Sequence, residues 1–273
     1  MYMETMNMEQ AKSLLPTDLR ERIVKDNSKT KIAVFDLDNT LLEGDIGDAV
    51  LLRLKQLEKK ERVTITNKII PLAWQQYMDM IETKGKWTAY KRVVTSQAGI
   101  PLDKFLGITR DVMAMKEDYL ELAGVKVPVP RPNKLMKALV LYLQSLDYQI
   151  YVISASNHYS VVYVAETFFN IPAANIFGMK PTLRQDEKHG TVLGNKIDGP
   201  VTVGEGKAET YRRYVGTIPP LLTAGDSTTD FEVLNLVDPQ GLCIWVRDDE
   251  KQYEGIKQKL NHPSTAYFLY RER

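Results

Sequence analysis

Short, largely apolar runs alternate with segments of helical periodicity through much of this chain, and this alternation strongly constrains the fold. Such runs lie at residues 31–35, 149–154, 221–224 and 242–246. Strands that are apolar on both faces are typical of parallel sheets, whose connecting helices cover both sides. The sequence therefore predicts an α/β fold with a Rossmann-like, doubly wound parallel sheet.

One long helical stretch interrupts this alternation after the first strand. Between residues 45 and 127 we predict no strand, only helices, for which residues 48–57 and 68–81 have the apolar spacing. The prolines at 128, 130 and 132 then form a stiff connector that excludes helix. The predicted organisation is an α/β core domain made of residues 1–44 and 128–273, with an inserted helical cap domain at 45–127.

Composition limits the partners of this chain. Its 273 residues carry a formal net charge of +1 and no Lys/Arg-rich tract, which argues against nucleic acid and anionic membranes as partners. One cysteine and three histidines cannot build a disulfide framework or a zinc site. No apolar run has the length of a membrane span, and the first 20 residues lack the apolar centre of a signal peptide. We expect a cytoplasmic protein.

Two carboxylates, Asp36 and Asp38, follow directly on the first apolar run. Residues two apart in a strand point to the same side, so both groups can face one cavity. Two anions that close require a bound cation or a shared proton. The alternative is a simple strand end in which Asn39 or Thr40 caps the next helix.

Three further positions carry polar side chains where a strand ends or a helix begins. Ser154 is predicted at the start of a helix, whose free N–H groups favour an anion. The alternative is that Ser154 is an ordinary N-cap residue. Lys207 lies in the first turn of a helix, where a solvated charge is the alternative. Asp226 follows the strand at 221–224, and a capping box of Ser227 and Asp230 would leave Asp226 unexplained. In open parallel sheets, ligands bind at these strand ends.

The order of these motifs resembles the haloacid dehalogenase superfamily, specifically its phosphatases with a C1-type helical cap inserted after the first motif. The order is Asp-x-Asp-x-Thr, then Ser, then Lys, then Gly-Asp-x-x-x-Asp. The resemblance covers residues 31 to about 246 and is strongest to the phosphoserine-phosphatase-like branch. The segments 153–156 and 205–207 are also similar to phosphocholine-phosphatase-type members.

The resemblance implies roles for the phosphate chemistry. Asp36 would be the nucleophile that forms an aspartyl-phosphate, and Asp38 the general acid and base. The transferring phosphoryl oxygens would be held by phosphate-binding residues: Ser154, Lys207, Asn39 and Thr40.

The resemblance also implies a magnesium site. Asp36, the backbone carbonyl of Asp38, and Asp226 would bind Mg²⁺, a hard cation that prefers oxygen ligands. Asp230 would orient these groups without binding the metal directly.

The cap would close over the site and contact the leaving group. Glu43 and Asp45 are acids that could meet a substrate amine. Aromatic residues of the cap either offer a surface to a quaternary ammonium or form the cap's own core; they are Trp74, Tyr77, Trp87 and Tyr90. Gly44 and Gly47 are candidate hinges or simple chain breaks.

The resulting expectation is a Mg²⁺-dependent phosphomonoesterase for a small phosphorylated metabolite resembling phosphoserine, phosphocholine or phosphoethanolamine. Asn39 and Thr229 depart from the usual phosphoserine phosphatase motifs, which weakens phosphoserine as the substrate. Alternatives are a phosphotransferase or phosphomutase with the same intermediate, or a phosphate-binding protein without turnover. A dehalogenase is disfavoured because a halide leaving group would not need Asp38 as an acid.

Overall fold

The computed structural model describes residues 6–23, 30–59, 73–247 and 250–270, which form a mixed α/β fold around a six-stranded sheet. The strands are β1 (Ile32–Phe35), β2 (Leu42–Glu43), β3 (Tyr119–Leu122), β4 (Val125–Pro128), β5 (Arg131–Pro132), β6 (Gln149–Asn157), β7 (Ile176–Met179), β8 (Pro181–Asp186), β9 (Gly190–Ile197), β10 (Leu222–Gly225), β11 (Leu242–Arg247) and β12 (Ala266–Tyr270). The α-helices are α1 (Met8–Leu14), α2 (Thr17–Arg22), α3 (Ile46–Lys59), α4 (Trp74–Ser96), α5 (Leu102–Ala114), α6 (Lys134–Gln144), α7 (His158–Phe169), α8 (Glu205–Tyr214), α9 (Phe231–Leu234) and α10 (Glu250–Lys257).

The central sheet has the order β12-β11-β10-β1-β6-β7, and every neighbouring pair in it is parallel. The chain runs outward from β1 through β6 to β7, then returns to the other side of β1 and runs outward through β10 to β12. The strand order therefore reverses between β1 and β10. Ligands of doubly wound sheets bind at the carboxyl ends of the strands beside such a reversal.

The two faces of β1 pack into different clusters. Ala33 and Phe35 belong to the main hydrophobic core, whereas Ile32 and Val34 pack in a cluster with Tyr211 of α8. Both faces are covered because successive side chains of a strand point to opposite sides. The prediction of a doubly wound parallel sheet is confirmed.

The loop after β1 forms a single turn of π-helix at Leu37–Leu41. Asn39 has a φ of 57°, a region that asparagine tolerates better than most residues, and its N–H donates to the Gly44 carbonyl at 3.0 Å. The next helix, α3, is capped instead by Asp45, whose Oδ1 accepts a hydrogen bond from the N–H of Asp48 at 2.9 Å. The interpretation of Asn39 or Thr40 as a helix cap is therefore wrong.

The stretch between the first two strands of the sheet is mainly helical, as predicted. Helix α4 is interrupted at Gly85, which has a φ of 80°. The predicted start of that helix, residues 68–72, lies outside the described residues. The absence of strands from this stretch is wrong, because β3 and β4 form an antiparallel hairpin. Four-residue strands are too short for their alternating burial to be read reliably from sequence. The division into a core and a cap domain stays a prediction.

Helix α2 contacts the segment at the start of β12. Short helices flank Pro16, and Arg22 donates to the carbonyls of Ser264 and Ala266 at 2.9 and 3.0 Å. Strand β12, at the edge of the sheet, was not predicted. Within the described ranges, no helix combines the length and apolar character needed to cross a membrane.

Candidate active site

A cavity of about 240 Å³ opens at the carboxyl ends of β1, β6, β10 and β11. It is bounded on the other side by residues of α3 and α4. Of the predicted site residues, those lining it are Asp36, Asp38, Asn39, Asp45, Lys207 and Asp226. The strand ends that the sequence singled out therefore do meet around one space.

Lys207 joins two of the carboxylates at the base of this cavity. Its ammonium lies 2.5 Å from Oδ1 of Asp36 and also donates to Oδ1 of Asp230. The Lys207 side chain is 1% exposed, so it is not the solvated charge that was its alternative interpretation. Burial alone would lower the pKa of Lys207, but the charges of Asp230 and Asp36 raise it above its ordinary value. Lys207 is held as a buried cation.

The start of α8 brings Lys207 close to the sheet. Gly206 packs so tightly that a Cβ there would lie 1.8 Å from the carbonyl oxygen of Val201. No side chain larger than hydrogen fits at that distance. The sequence Gly204-Glu205-Gly206-Lys207 thus starts the helix where the lysine reaches the first motif.

Asp36, Asp226 and Asp230 form a buried cluster in which one carboxylate oxygen from each residue lies within 4.8 Å of the others. Burial, followed by the charge of Asp230, raises the pKa of Asp36 and of Asp226 well above the ordinary carboxyl value. Oδ2 of Asp230 already accepts hydrogen bonds from the backbone N–H groups of Asp226 and Ser227, at 3.2 and 2.9 Å. The donor set fits a hard divalent cation, because a cation would offset the repulsion between Asp36 and Asp226.

Asp38 is anchored by three hydrogen bonds. Its Oδ1 accepts from the N–H of Ile46 at 2.8 Å, and its Oδ2 accepts from the hydroxyls of Ser154 and Ser156 at 2.9 and 2.7 Å. Burial and then the charge of Asp45 raise the pKa of Asp38 to about 7. A carboxyl group with that pKa is suited to both giving and taking a proton near neutrality.

Four predicted site residues lie behind or outside the cavity. Ser154 is fully buried and its hydroxyl donates to Asp38, rather than facing a ligand. The buried Thr40 hydroxyl has no hydrogen-bond partner among the described residues. Glu43 is exposed and lies opposite Arg131 in the backbone register of β2 and β5, outside the lining of the cavity. Asp230 lies outside the lining of the cavity, where its carboxylate accepts hydrogen bonds from Lys207 and from the backbone N–H groups of Asp226 and Ser227.

The side of the cavity bounded by α3 and α4 carries two more acids. Asp45 and Asp48 both line it, and the Tyr77 hydroxyl is hydrogen-bonded to Asp48. Burial, then the neighbouring Asp48 charge, raises the pKa of Asp45 to about 8, and burial raises that of Asp48 to about 6.

The aromatic residues of α4 divide between the cavity and other surroundings. Tyr77 and Tyr90 line the cavity, with ring centroids 6.3 Å apart. Trp74 packs edge-on against Tyr77, and Trp87 is 48% exposed beneath the Lys91 ammonium. Among the residues that the structure describes, Tyr77 and Tyr90 are therefore the aromatic side chains that offer a surface to a ligand of this cavity.

Among the cavity residues that sequence reasoning missed, three had a signal in the sequence: Ser156, Asp48 and Arg247. Ser156 follows Ser154 by two residues, the same spacing that pairs Asp36 with Asp38. Asp48 follows Asp45 by one helical turn. Arg247 ends β11, and its Nε donates to the Asp226 carbonyl at 2.6 Å.

Comparison with known proteins places the fold. No protein-family model and no curated protein matches the chain. A protein of unknown function from Anaerococcus prevotii is 14% identical, with 91% of both chains covered and a TM-score of 0.58. A haloacid dehalogenase (HAD) family hydrolase from Salmonella enterica serovar Typhi is 13% identical, covering 95% of this chain and 77% of its own, with a TM-score of 0.55. A phosphoserine phosphatase carrying an analogue of its phospho-aspartyl intermediate is 14% identical, with a TM-score of 0.52. The match covers 90% of this chain and 95% of the phosphatase.

These likenesses confirm the predicted resemblance at the level of the fold. The α/β architecture is similar to that of the haloacid dehalogenase family hydrolase from Salmonella enterica serovar Typhi. More particularly, the fold is shared with phosphoserine phosphatase over nine tenths of the chain.

Proposed function

We propose that this protein is a Mg²⁺-dependent phosphomonoesterase acting on a small phosphorylated metabolite through an aspartyl-phosphate. The proposal is carried by one observation: Asp36, Asp38, Lys207 and Asp226 surround one cavity beside the strand-order reversal of the sheet. A nucleophile, a proton donor and a fixed cation within one small cavity are the parts that phosphoryl transfer requires.

In the first step, a carboxylate oxygen of Asp36 attacks phosphorus. Oδ1 of Asp36 is bound by Lys207, whereas Oδ2 accepts no hydrogen bond from any of the described residues. A new oxygen–phosphorus bond forms as the bond to the leaving oxygen breaks. Asp38 gives its proton to that oxygen, so the product leaves as an alcohol.

In the second step, water attacks the aspartyl-phosphate. Asp38, now ionised, takes a proton from this water. The bond between the Asp36 oxygen and phosphorus breaks, which releases inorganic phosphate and restores both carboxyl groups.

The phosphoryl oxygens need cationic and hydrogen-bonding partners. Lys207 has three N–H donors, of which two are given to Asp36 and Asp230, so one remains for a phosphoryl oxygen. Asn39 lines the cavity and is assigned to the same oxygens. The hydroxyls of Ser154 and Thr40 are buried and lie outside the lining of the cavity, so neither is assigned to the phosphoryl oxygens.

Mg²⁺ would be held by carboxylate oxygens of Asp36 and Asp226 and by the backbone carbonyl of Asp38. When bound, the ion supplies positive charge that offsets the charge spread over the phosphoryl oxygens. Asp230 fixes the neighbouring backbone through its contacts to Asp226 and Ser227.

The organic part of the substrate is proposed to be small and to carry a positively charged nitrogen, as in phosphoserine, phosphocholine or phosphoethanolamine. A volume of about 240 Å³ suits a compact metabolite. Asp45 and Asp48 provide acid on the cap side, and Tyr77 and Tyr90 provide ring faces that favour a cation.

The activity is tested by phosphate release from p-nitrophenyl phosphate with and without Mg²⁺. Mg²⁺-dependent turnover by the unmodified protein that is lost in Asp36→Asn is the expected result. Phosphate binding without any release would favour the non-catalytic alternative. Transfer to an added alcohol in preference to water would favour a phosphotransferase.

The substrate class is tested with a panel of alkyl phosphates. Phosphocholine, phosphoethanolamine and phosphoserine are compared with glycerol phosphate, which is of similar size but lacks the amine. Asp48→Asn should raise KM for the amine-bearing esters and leave glycerol phosphate unchanged. Equal kcat/KM across the panel would contradict this part of the proposal.

A further inference from the structure

Two serine hydroxyls converge on the same oxygen of Asp38, but only one of them faces the cavity. Ser154 and Ser156 both donate to Oδ2 of Asp38. Ser154 is 0% exposed, and its hydroxyl also accepts the N–H of Ser156 at 3.0 Å. Ser156 lines the cavity, and within the described part of the chain nothing donates to its hydroxyl oxygen.

The carboxyl group of Asp38 is therefore held differently at its two oxygens. Oδ1 is fixed by a backbone N–H, that of Ile46, which cannot turn to become an acceptor. Oδ2 is held by hydroxyls, which can donate to a carboxylate or accept from a carboxylic acid. Because the Ser154 hydroxyl is engaged from both sides, Ser156 is the partner that can adapt beside the cavity.

Gly47 makes room for this contact. A Cβ at Gly47 would lie 2.7 Å from Oγ of Ser156, closer than two such atoms approach. Gly47 lies at the second position of α3, where alanine would be the better helix former. A glycine there is explained by the space that Ser156 needs to reach Asp38.

We propose that Ser156 is a positioning residue for the proposed reaction, aiming Oδ2 of Asp38 at the leaving oxygen of the substrate. This inference rests on the proposed function, in which Asp38 protonates that oxygen. Ser156 acts through Asp38 and takes no part in bond making or breaking. Its contribution should then grow as the leaving oxygen becomes more basic, because poor leaving groups depend most on the acid.

The test compares kcat/KM for a series of aryl and alkyl phosphate monoesters in the Mg²⁺-loaded protein. This constant reports the steps up to release of the alcohol, so the later use of Asp38 as a base does not enter. For Ser156→Ala we expect a loss of about 10-fold or more with alkyl phosphates and less than about 3-fold with p-nitrophenyl phosphate. The plot of log kcat/KM against leaving-group pKa should become steeper.

Two further variants make the result specific. Gly47→Ala should push Oγ of Ser156 away from Asp38 and give the same steepening without removing the hydroxyl. Ser160→Ala is the matched control: its hydroxyl is buried and lies 3.0 Å from that of Thr109, outside the cavity. It should leave the slope unchanged.

The outcomes separate this inference from the proposed function. Equal losses for every ester in Ser156→Ala, or no loss, in an otherwise active enzyme would overturn the role of Ser156 alone. If the unmodified protein hydrolysed no phosphomonoester with Mg²⁺ present, that result would contradict both the proposed function and the role of Ser156 that rests on it.

Discussion

The ammonium of Lys207 lies 2.5 Å from Oδ1 of Asp36, although 171 positions separate the two residues in the chain. Lys207 also donates to Asp230, so one buried cation holds two buried carboxylates. Removing one partner of a buried ion pair leaves charge without compensation, which costs more than the pair itself contributes. The stability of the site should therefore depend on Lys207.

We expect Lys207→Met to lower the free energy of unfolding by about 3 kcal/mol without Mg²⁺, because Asp36 and Asp230 lose their buried cation. Urea unfolding followed by circular dichroism measures the change. Lys126→Ala, which breaks an exposed pair with Glu121, is the control and should have a much smaller effect. Unfolding of Lys207→Met at the same urea concentration as the unmodified protein would contradict the prediction.

Asp36→Asn should reduce turnover by about 10³-fold or more, because an amide oxygen is a poor nucleophile towards phosphorus. The measurement is release of inorganic phosphate under single-turnover conditions, with near-ultraviolet circular dichroism to check the fold. Asp103→Asn, an exposed acid in the first turn of α5, should keep full activity. Appreciable turnover in Asp36→Asn would remove Asp36 from the role of nucleophile.

Chelation should abolish the proposed phosphatase activity, and added Mg²⁺ should restore it. In Asp226→Asn, the Mg²⁺ concentration that gives half-maximal activity should rise by about 10-fold or more, because one carboxylate oxygen of the proposed site is lost. Asp45→Asn alters an acid of the same cavity that is outside the proposed metal set, so its Mg²⁺ requirement should not change. Full activity in excess chelator would exclude the metal from the mechanism.

His158 should make the protein less stable in mild acid. Burial, and then the charge of Lys180, lowers the pKa of His158 from 6.5 to about 4, and its Nδ1 accepts from the N–H of Gly178 at 3.3 Å. Between these two pH values the unfolded chain binds a proton that the folded chain does not, so stability falls as the pH falls through this window. Above pH 6.5 neither the folded nor the unfolded chain binds this proton, so His158 no longer makes the stability depend on pH.

The measurement is the free energy of unfolding of His158→Asn and the unmodified protein from pH 4 to pH 7. Asparagine keeps an acceptor for Gly178 but does not titrate. The unmodified protein should lose roughly 1–2 kcal/mol more than the variant on acidification, after allowance for partial exposure of the ring. Parallel curves for the two proteins would show that His158 is not the cause.

Much of the site was predictable because its residues lie where strands end. Asp36 and Asp226 follow β1 and β10, two parallel neighbours whose carboxyl ends share one edge of the sheet. Lys207 was identified by its place in a helix start together with the order of the motifs. These are local signals. Because ligands of parallel sheets bind at the carboxyl ends of the strands, residues at those ends are expected to lie close together.

The misses have physical reasons. The hairpin of β3 and β4 was missed because four-residue strands carry too short a burial pattern, and the edge strand β12 is fixed by its pairing with β11, which a short run of residues does not reveal. Arg247 also ends a strand, but its contact with the Asp226 carbonyl depends on how β10 and β11 align. Ser154 was expected to meet phosphate, whereas its hydroxyl donates to Asp38.

The sequence by itself determined which segments become buried strands and which carboxylates stand at their ends, because periodicity and strand termination are written in neighbouring residues. Only the tertiary structure decided the partners of each polar atom. Ser154 and Ser156 reach Asp38 across 116 and 118 positions, and that choice depends on distances of a few tenths of an ångström. Hydrogen bonds are that sensitive to distance and direction, so their pattern is fixed by packing rather than by the order of residues.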